Sequence, residues 1–270
     1  MSEPDYDDLK RRAAKVWGLG DYPKIAATII GAARSLVDAC AISAGQEVLD
    51  VAAGTGNLAL LAAEEGADVV ASDLSPGQIA LGRARTEAEG VDVEWVEADV
   101  EDLPFEDDRF DCAASVFGMM FAPRPEVAAR EMFRVVKPGG TVGIAAWGHY
   151  GSQADVFDAL NRFAPPPPAG LPEPRDWGEE EHARARLEPL ASSLVLERRK
   201  MHWEVDSFEQ MWETFQSAGP GAAAREALSA ETMDEAKRAV HDVVDRWNLA
   251  DDGRVVLEPE YLEIVARKRG

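Results

Sequence analysis

Apolar positions recur along this chain in two rhythms, short runs and longer stretches with helical spacing, and between residues 47 and 147 the two alternate. Glu47 to Val51, Ala67 to Asp73, Asp92 to Ala98, Cys112 to Phe117 and Thr141 to Trp147 read as strands. Asn57 to Glu65, Pro76 to Glu89 and Pro125 to Val136 read as helices, the last with Ala128, Met132, Val135 and Val136 on one face. Strands alternating with helices predict an α/β fold built on a parallel sheet. The punctuation agrees. Gly66 and Gly90 each fall just past a helix end. Ser75-Pro76-Gly77-Gln78 reads as an N-cap, a first helical proline and a capping-box glutamine. Lys137-Pro138-Gly139-Gly140 has the residues of a type II turn.

The flanks have a different texture. Asp5 to Val16 predicts a helix, Trp17 to Pro23 a loop, and Ile25 to Cys40 a second helix with Ile25, Ile29, Ala33, Leu36 and Cys40 near one face. Beyond Trp147 come a short loop, Gly148 to Gly151, and a helix over Asp155 to Phe163. Pro165 to Pro168, with Pro172 and Pro174, predict a stiff extended linker. Then follow a helix over Glu179 to Leu190 and a strand over Ser193 to Val205. Ser207 is placed to cap a helix carrying Phe208, Met211, Trp212 and Phe215; a further helix spans Glu231 to Trp247, and Glu260 to Arg269 is the last strand. The division expected is a helical cap at 1–45, a core at 46–148, an inserted cap and linker at 149–192, and a C-terminal part at 193–270 that completes the sheet. Trp17, Trp177, Trp203, Trp212 and Trp247 all lie outside the core, which predicts caps with aromatic interiors.

Composition narrows the function. The 270 residues are 46% hydrophobic and carry a formal net charge of −22. Such a charge repels phosphate backbones and anionic membranes, so no nucleic acid and no membrane is expected as partner. No apolar run is long enough to span a bilayer. Met1 to Lys10 is acidic and polar, unlike a secretion signal, so the location expected is cytoplasmic. Cys40 and Cys112 stand in apolar surroundings and suggest neither a disulfide framework nor a metal site.

The candidate chemistry sits in Val48-Leu49-Asp50-Val51-Ala52-Ala53-Gly54-Thr55-Gly56-Asn57-Leu58. A strand ends in an acidic residue, a glycine turn lets a ligand approach the backbone, and a helix N-terminus presents unpaired N–H groups to the same place. Gly54-x-Gly56-x-x-Ala59 also fits a dinucleotide fingerprint. Asp50, however, can hold a cationic amino group and would repel a pyrophosphate. Asp73 ends the second strand, 19 residues after Gly54, where a carboxylate can accept from both hydroxyls of a ribose.

These residues resemble motif I of the class I S-adenosylmethionine (SAM) methyltransferases, with Ala52 in place of the usual first glycine. Asp99-Val100, Leu103-Pro104-Phe105 and Lys137-Pro138-Gly139-Gly140 extend the resemblance over Glu47 to Trp147, toward the quinone-biosynthesis and natural-product group. The resemblance implies a doubly wound, seven-stranded, mostly parallel sheet with an antiparallel last strand and helical caps. It implies SAM as cofactor, S-adenosylhomocysteine as product and a small, fairly apolar molecule as acceptor. It places Tyr22, Asp50, Ala52, Gly54, Thr55, Gly56, Asn57, Asp73, Leu74, Gln78, Asp99, Val100, Ser115 and Val116 at the cofactor, with Asp99 accepting from the adenine amine. Phe117, Met119, Met120 and Phe121 would wall the acceptor. The Asn/Asp-Pro-Pro-aromatic tetrad of the nucleobase-modifying members is absent after the fourth strand.

Among His149, His182, His202 and His241, His149 follows the fifth strand and is the best-placed general base, should the acceptor be a hydroxyl or an acidic carbon. Three other readings stay open: a SAM enzyme that transfers no methyl, an NAD-dependent oxidoreductase, and an inactive binding or regulatory module. The acceptor atom and the oligomeric state are not legible.

Overall fold

A computed structural model describes residues 4–166, 168 and 170–270; residues 1–3 of the acidic N-terminus, and Pro167 and Ala169 in and beside the proline-rich linker, lie outside the described residues. A seven-stranded sheet runs through it in the order β3-β2-β1-β4-β5-β9-β6. The strands are β1 (Glu47–Val51), β2 (Asp68–Asp73), β3 (Glu94–Glu97), β4 (Phe110–Val116), β5 (Val136–Ala146), β6 (Ala191–Lys200) and β9 (Glu260–Lys268). β1 to β5 are parallel; β9 is antiparallel to both β5 and β6. Helices α3 (Ile30–Ala39), α4 (Asn57–Glu64), α5 (Pro76–Glu89) and α6 (Pro125–Val135) cover the faces, and the strands between them bury Val48, Leu49, Ala113, Val142 and Ile144 completely. Strand order reverses between β1 and β4, so the crevice at their carboxyl ends is where such a sheet receives a ligand.

The N-terminal arm differs from the single long helix that the spacing predicts. After α1 (Tyr6–Trp17), the stretch over Ile25 to Cys40 is two helices, α2 (Tyr22–Thr28) and α3, broken at Ile29. Side chains cause the break. Thr28 Oγ1 donates to the Ile25 carbonyl at 2.7 Å and Asn57 Nδ2 to the Ala26 carbonyl at 2.7 Å, drawing acceptors away from the helical ladder. Tyr22 therefore opens a helix rather than lying in the loop. At the other end of the core, Lys137 to Gly140 is an excursion within β5, since Phe110 faces Val136 and Cys112 already faces Thr141.

The strand expected over Ser193 to Val205 also divides. β6 stops at Lys200, and β7 (Trp203–Val205) pairs antiparallel with β8 (Val255–Leu257) as a separate two-stranded ribbon. That ribbon, with α7 (Gly151–Asn161), α9 (Phe208–Phe215) and α11 (Ala230–Trp247), encloses a second core around Val156, Trp203, Met211, Trp212 and Val240. The periodicity shows neither β8 nor α10 (Gly219–Ala227), the latter being mostly Gly, Ala and Pro. The tryptophans part company: Trp203 and Trp212 fill the second core, Trp177 is buried in the main one and Trp247 is exposed. Among the described residues no helix is long and apolar enough to cross a membrane.

Candidate cofactor and acceptor site

The loop after β1 is shaped by backbone conformations that few side chains accept. Ala52, Gly54 and Gly56 have φ of 53°, 56° and 81°. For Ala52, the residue standing where glycine is usual, the left-handed region costs roughly 1–2 kcal/mol. Phe117, at the end of β4, is also left-handed with φ 59°, so strained positions flank the crevice from both sides. A Cβ on Gly118 would lie 2.4 Å from the Ala52 carbonyl oxygen, and one on Gly54 would lie 3.1 Å from Tyr22 Cε1. The β1 and β4 loops and α2 thus meet edge to edge, and only glycine fits the contacts.

Two carboxylates hold this loop. Asp50 Oδ2 accepts from Ala59 N at 2.9 Å, tying strand to helix. Asp73 Oδ2 accepts from Gly54 N and Oδ1 from Ser75 N, each at 2.8 Å. Each oxygen of Asp73 keeps a further lone pair for a ligand hydroxyl. Burial pushes the Asp50 carboxyl up to about 8, against the Ala59 hydrogen bond and with help from the Asp73 charge. Burial pushes Asp73 up to about 6, against the backbone hydrogen bonds from Ser75 and Gly54. Asp73 also takes the amide that the capping box would have used. Ser75 Oγ makes no cap bond, and Gln78 Nε2 instead donates to the Trp17 carbonyl at the end of α1.

The crevice holds a cavity of about 320 Å³ and a smaller chamber of about 30 Å³. Tyr22, Ala52, Gly54 and Gly118 line both. Asp50, Thr55, Asn57 and Val116 belong to the small chamber; Asp73, Leu74, Gln78, Asp99 and Val100 belong to the large one. Thr55 Oγ1 is buried there without a hydrogen-bond partner. Asn57 spends its amide on the Ala26 carbonyl and accepts from Arg85 Nη1 at 2.7 Å. Gly56 lines neither chamber; it makes room for Trp95, whose ring stands 3.0 Å from where a Cβ would be. Ser115 is fully buried, and its Oγ accepts from Met119 N at 3.0 Å, so its side chain serves the turn.

Aromatic rings form the outer wall of the large cavity. Phe117 stacks on Trp147 at 4.0 Å with planes 3° apart, and Phe121 meets Trp17 at 5.1 Å. Met119 and Met120 do not reach it. The 3-10 turn Met119–Phe121 sends both methionines into the core, 1% and 2% exposed, while Phe121 is 41% exposed. Sequence reasoning expected caps from these segments without naming the residues of the opposite wall: Leu9, Lys10, Ala13 and Trp17 on α1, and Leu171, Pro172 and Pro174 from the proline-rich segment. The stripe Lys10, Ala13, Trp17 at helical spacing was the signal available for α1. The hinge of that helix is fastened by the C-terminal part: Asp21 N donates to Ser217 O at 2.8 Å and Gly219 N to Leu19 O at 3.0 Å.

His149 lies outside both chambers. Its Nε2 is 3.2 Å from Asp176 Oδ1, and its backbone N–H donates to Glu179. Gly148 packs against Gly178, where a Cβ would come within 2.3 Å of Gly148 N. That contact brings Asp176 of the turn Pro174–Gly178, and Glu179 just after it, up to the histidine. Among the described residues no histidine lines the cavity.

Comparison with known proteins gives the family. The family described as "Methyltransferase domain" matches residues 48–140. An uncharacterized protein of Mycobacterium tuberculosis (strain ATCC 25618 / H37Rv) is 32% identical over 94% of this chain and 93% of its own length. The chain belongs to the class I SAM-dependent methyltransferases. The demethylmenaquinone methyltransferase of Paenarthrobacter aurescens (strain TC1) is 41% identical over 43% of this chain and 44% of that protein, a match about the length of the core. Among solved structures, the YcgJ protein from Bacillus subtilis shares the fold over 88% of this chain and 99% of its own, with TM-score 0.61 and 18% identity. Phosphoethanolamine N-methyltransferase 2 of Haemonchus contortus, solved with S-adenosyl-L-methionine, covers 88% of this chain and 52% of its own at TM-score 0.55 and 18% identity. The cofactor is SAM, and the dinucleotide reading of the glycine loop falls away. The site fits that cofactor: the glycine cradle, the orphan hydroxyl of Thr55 and the half-used carboxylate oxygens of Asp73 are where a nucleoside carrying an amino acid needs partners.

Proposed function

We propose that this methyltransferase acts on a small, largely apolar acceptor, at oxygen or carbon. The observation that carries the reading is the distribution of polarity in the large cavity. Asp73, Gln78, Asp99 and Lys10 are its charged and amide groups, whereas Trp17, Phe117, Phe121, Leu171, Pro172 and Pro174 make the rest of the wall largely apolar. In this reading Asp73 accepts from the ribose hydroxyls, Asp99 from the adenine amine, and Leu74 and Val100 flank the ring. Asp50, Thr55 and the Ala52 carbonyl hold the amino-acid end in the small chamber, and Tyr22 stands at the passage between them.

The sulfonium supplies the electrophilic methyl; the chain supplies alignment and dryness. The aromatic wall excludes water and sets a flat acceptor in line behind the methyl. With no histidine in the wall, an acceptor that is already acidic, such as a phenol or enol, needs positioning above all. A panel of phenols, enols and quinols with methyl-labelled SAM tests this. Transfer of label to an aromatic or enolic acceptor with release of S-adenosylhomocysteine is the expected result. Turnover only of polar amines, or turnover without S-adenosylhomocysteine, would overturn it.

A further inference from the structure

Beside the cofactor residues lies a charged cluster that cofactor recognition does not need. Glu101 has a fully buried side chain, yet it binds two cations. Its Oε2 meets Lys10 Nζ at 2.5 Å and Arg124 Nη2 at 2.7 Å, and its Oε1 accepts from Arg124 N at 2.6 Å. Lys10 Nζ also lies 2.6 Å from Asp99 Oδ2, and its side chain is only 11% exposed. Asp99 Oδ1 already accepts from Glu101 N, which leaves Oδ2 as the oxygen a ligand amine would share with Lys10.

The helix that carries Lys10 is held at its two ends by different contacts. No residue of α1 is fully buried. Its C-terminal end is clamped where Gln78 Nε2 donates to the Trp17 carbonyl and Gly18 packs on Gly77. Its N-terminal half is fixed by the Lys10 ion pairs and by Tyr6, whose ring stacks under Arg124 at 5.0 Å. Between the two ends, Leu9, Ala13 and Trp17 roof the cavity.

We propose that Lys10 and Glu101 are positioning residues that latch α1 over the bound cofactor. Because Lys10 has two carboxylate partners, the adenine amine can take Asp99 while Lys10 stays on Glu101. Closure and cofactor recognition then share Asp99 without competing for it. Glu101 holds the latch because a buried carboxylate needs cations, and of its two Lys10 is the one that α1 supplies. This rests on the assignment of Asp99 to the adenine end.

The test compares Lys10→Met, Lys10→Arg and Glu101→Gln with Lys15→Met, which removes the same charge from an exposed position of α1 that lines no cavity. The readouts are the dissociation rate of S-adenosylhomocysteine and hydrogen exchange of residues 4–17, with and without that ligand. Lys10→Met is expected to speed dissociation at least tenfold and to accelerate exchange of the helix in both states. Lys10→Arg should return both to within about threefold, and Lys15→Met should leave them unchanged. Lys10→Met with dissociation and exchange within twofold of the parent would overturn the latch. Glu101→Gln is the second variant, expected to move both readouts in the same direction, and Lys10→Met, altering a half-buried surface helix, keeps the test open if Glu101→Gln does not fold. Absence of ligand binding by the parent would instead strike the cofactor assignment, while exchange in the unliganded protein would still read the latch.

Discussion

At the scale of single residues, the site depends on carboxylates that serve the fold and the ligand together. Asp73 ties Gly54 N and Ser75 N to one side chain, and in the proposed reading its remaining lone pairs go to the ribose. Asp73→Ala is expected to weaken S-adenosylhomocysteine binding by about 1–3 kcal/mol, the worth of hydrogen bonds to a charged group. Calorimetry showing unchanged affinity would remove Asp73 from the site. His149 makes the opposite case. Its position after β5 suggests a base, but Asp176 and Glu179 hold it outside the cavity. His149→Ala should therefore keep turnover within about tenfold between pH 6 and 9, short of the 10²–10⁴ that a general base contributes. A loss of a hundredfold, recovered at high pH, would return the histidine to the mechanism.

At the scale of elements, the strands and helices of the core were legible because their periodicity is undisturbed: β1 spans Glu47–Val51 and α5 spans Pro76–Glu89, as the pattern reads. Where side chains compete with backbone for hydrogen bonds, the pattern misleads. Thr28 and Asn57 split α2 from α3, and Asp73 displaces the capping box of α5. Met119 and Met120 were misjudged because one 3-10 turn decides which side of the loop faces inward, and hydrophobicity is the same on either side. Lys10 was passed over because a cation on an amphipathic helix looks like its solvent face until Asp99 and Glu101 are brought beneath it. The second core, invisible as a unit in sequence, rests on α11. Truncating its fully buried Val240 to Ala is expected to cost about 1.5 kcal/mol, roughly two methyl groups withdrawn from the interior. Denaturant titration measures it, and an unchanged midpoint would mean that this core contributes nothing to global stability.

For the whole molecule, the raised carboxyls of Asp50 and Asp73 couple folding, ligand and pH. Both stand above the value of about 3.9 that an unfolded chain shows. The folded state therefore keeps protons that the unfolded state has lost, and their contribution, complete below about pH 4, is lost as pH rises through about 6 and then about 8. In the proposed reading a cofactor ammonium beside Asp50 would favour its ionised form, so binding would release protons and strengthen across the same interval. Thermal melts from pH 5 to 8 should show the stabilisation by S-adenosylhomocysteine widening as pH rises; a constant gap would count against ionisation of these groups on binding. The sheet has a different kind of order, one of time. β9 lies between β5 and β6, yet it follows β6 by about sixty residues. At about 5–20 residues per second, a ribosome leaves β6 without a partner for roughly 3–12 s. During that interval the open edges of β5 and β6 are templates for stray strands. The run Glu197-Arg198-Arg199-Lys200 at the end of β6 places charge on that waiting edge, so the nascent chain carries its own protection against premature pairing.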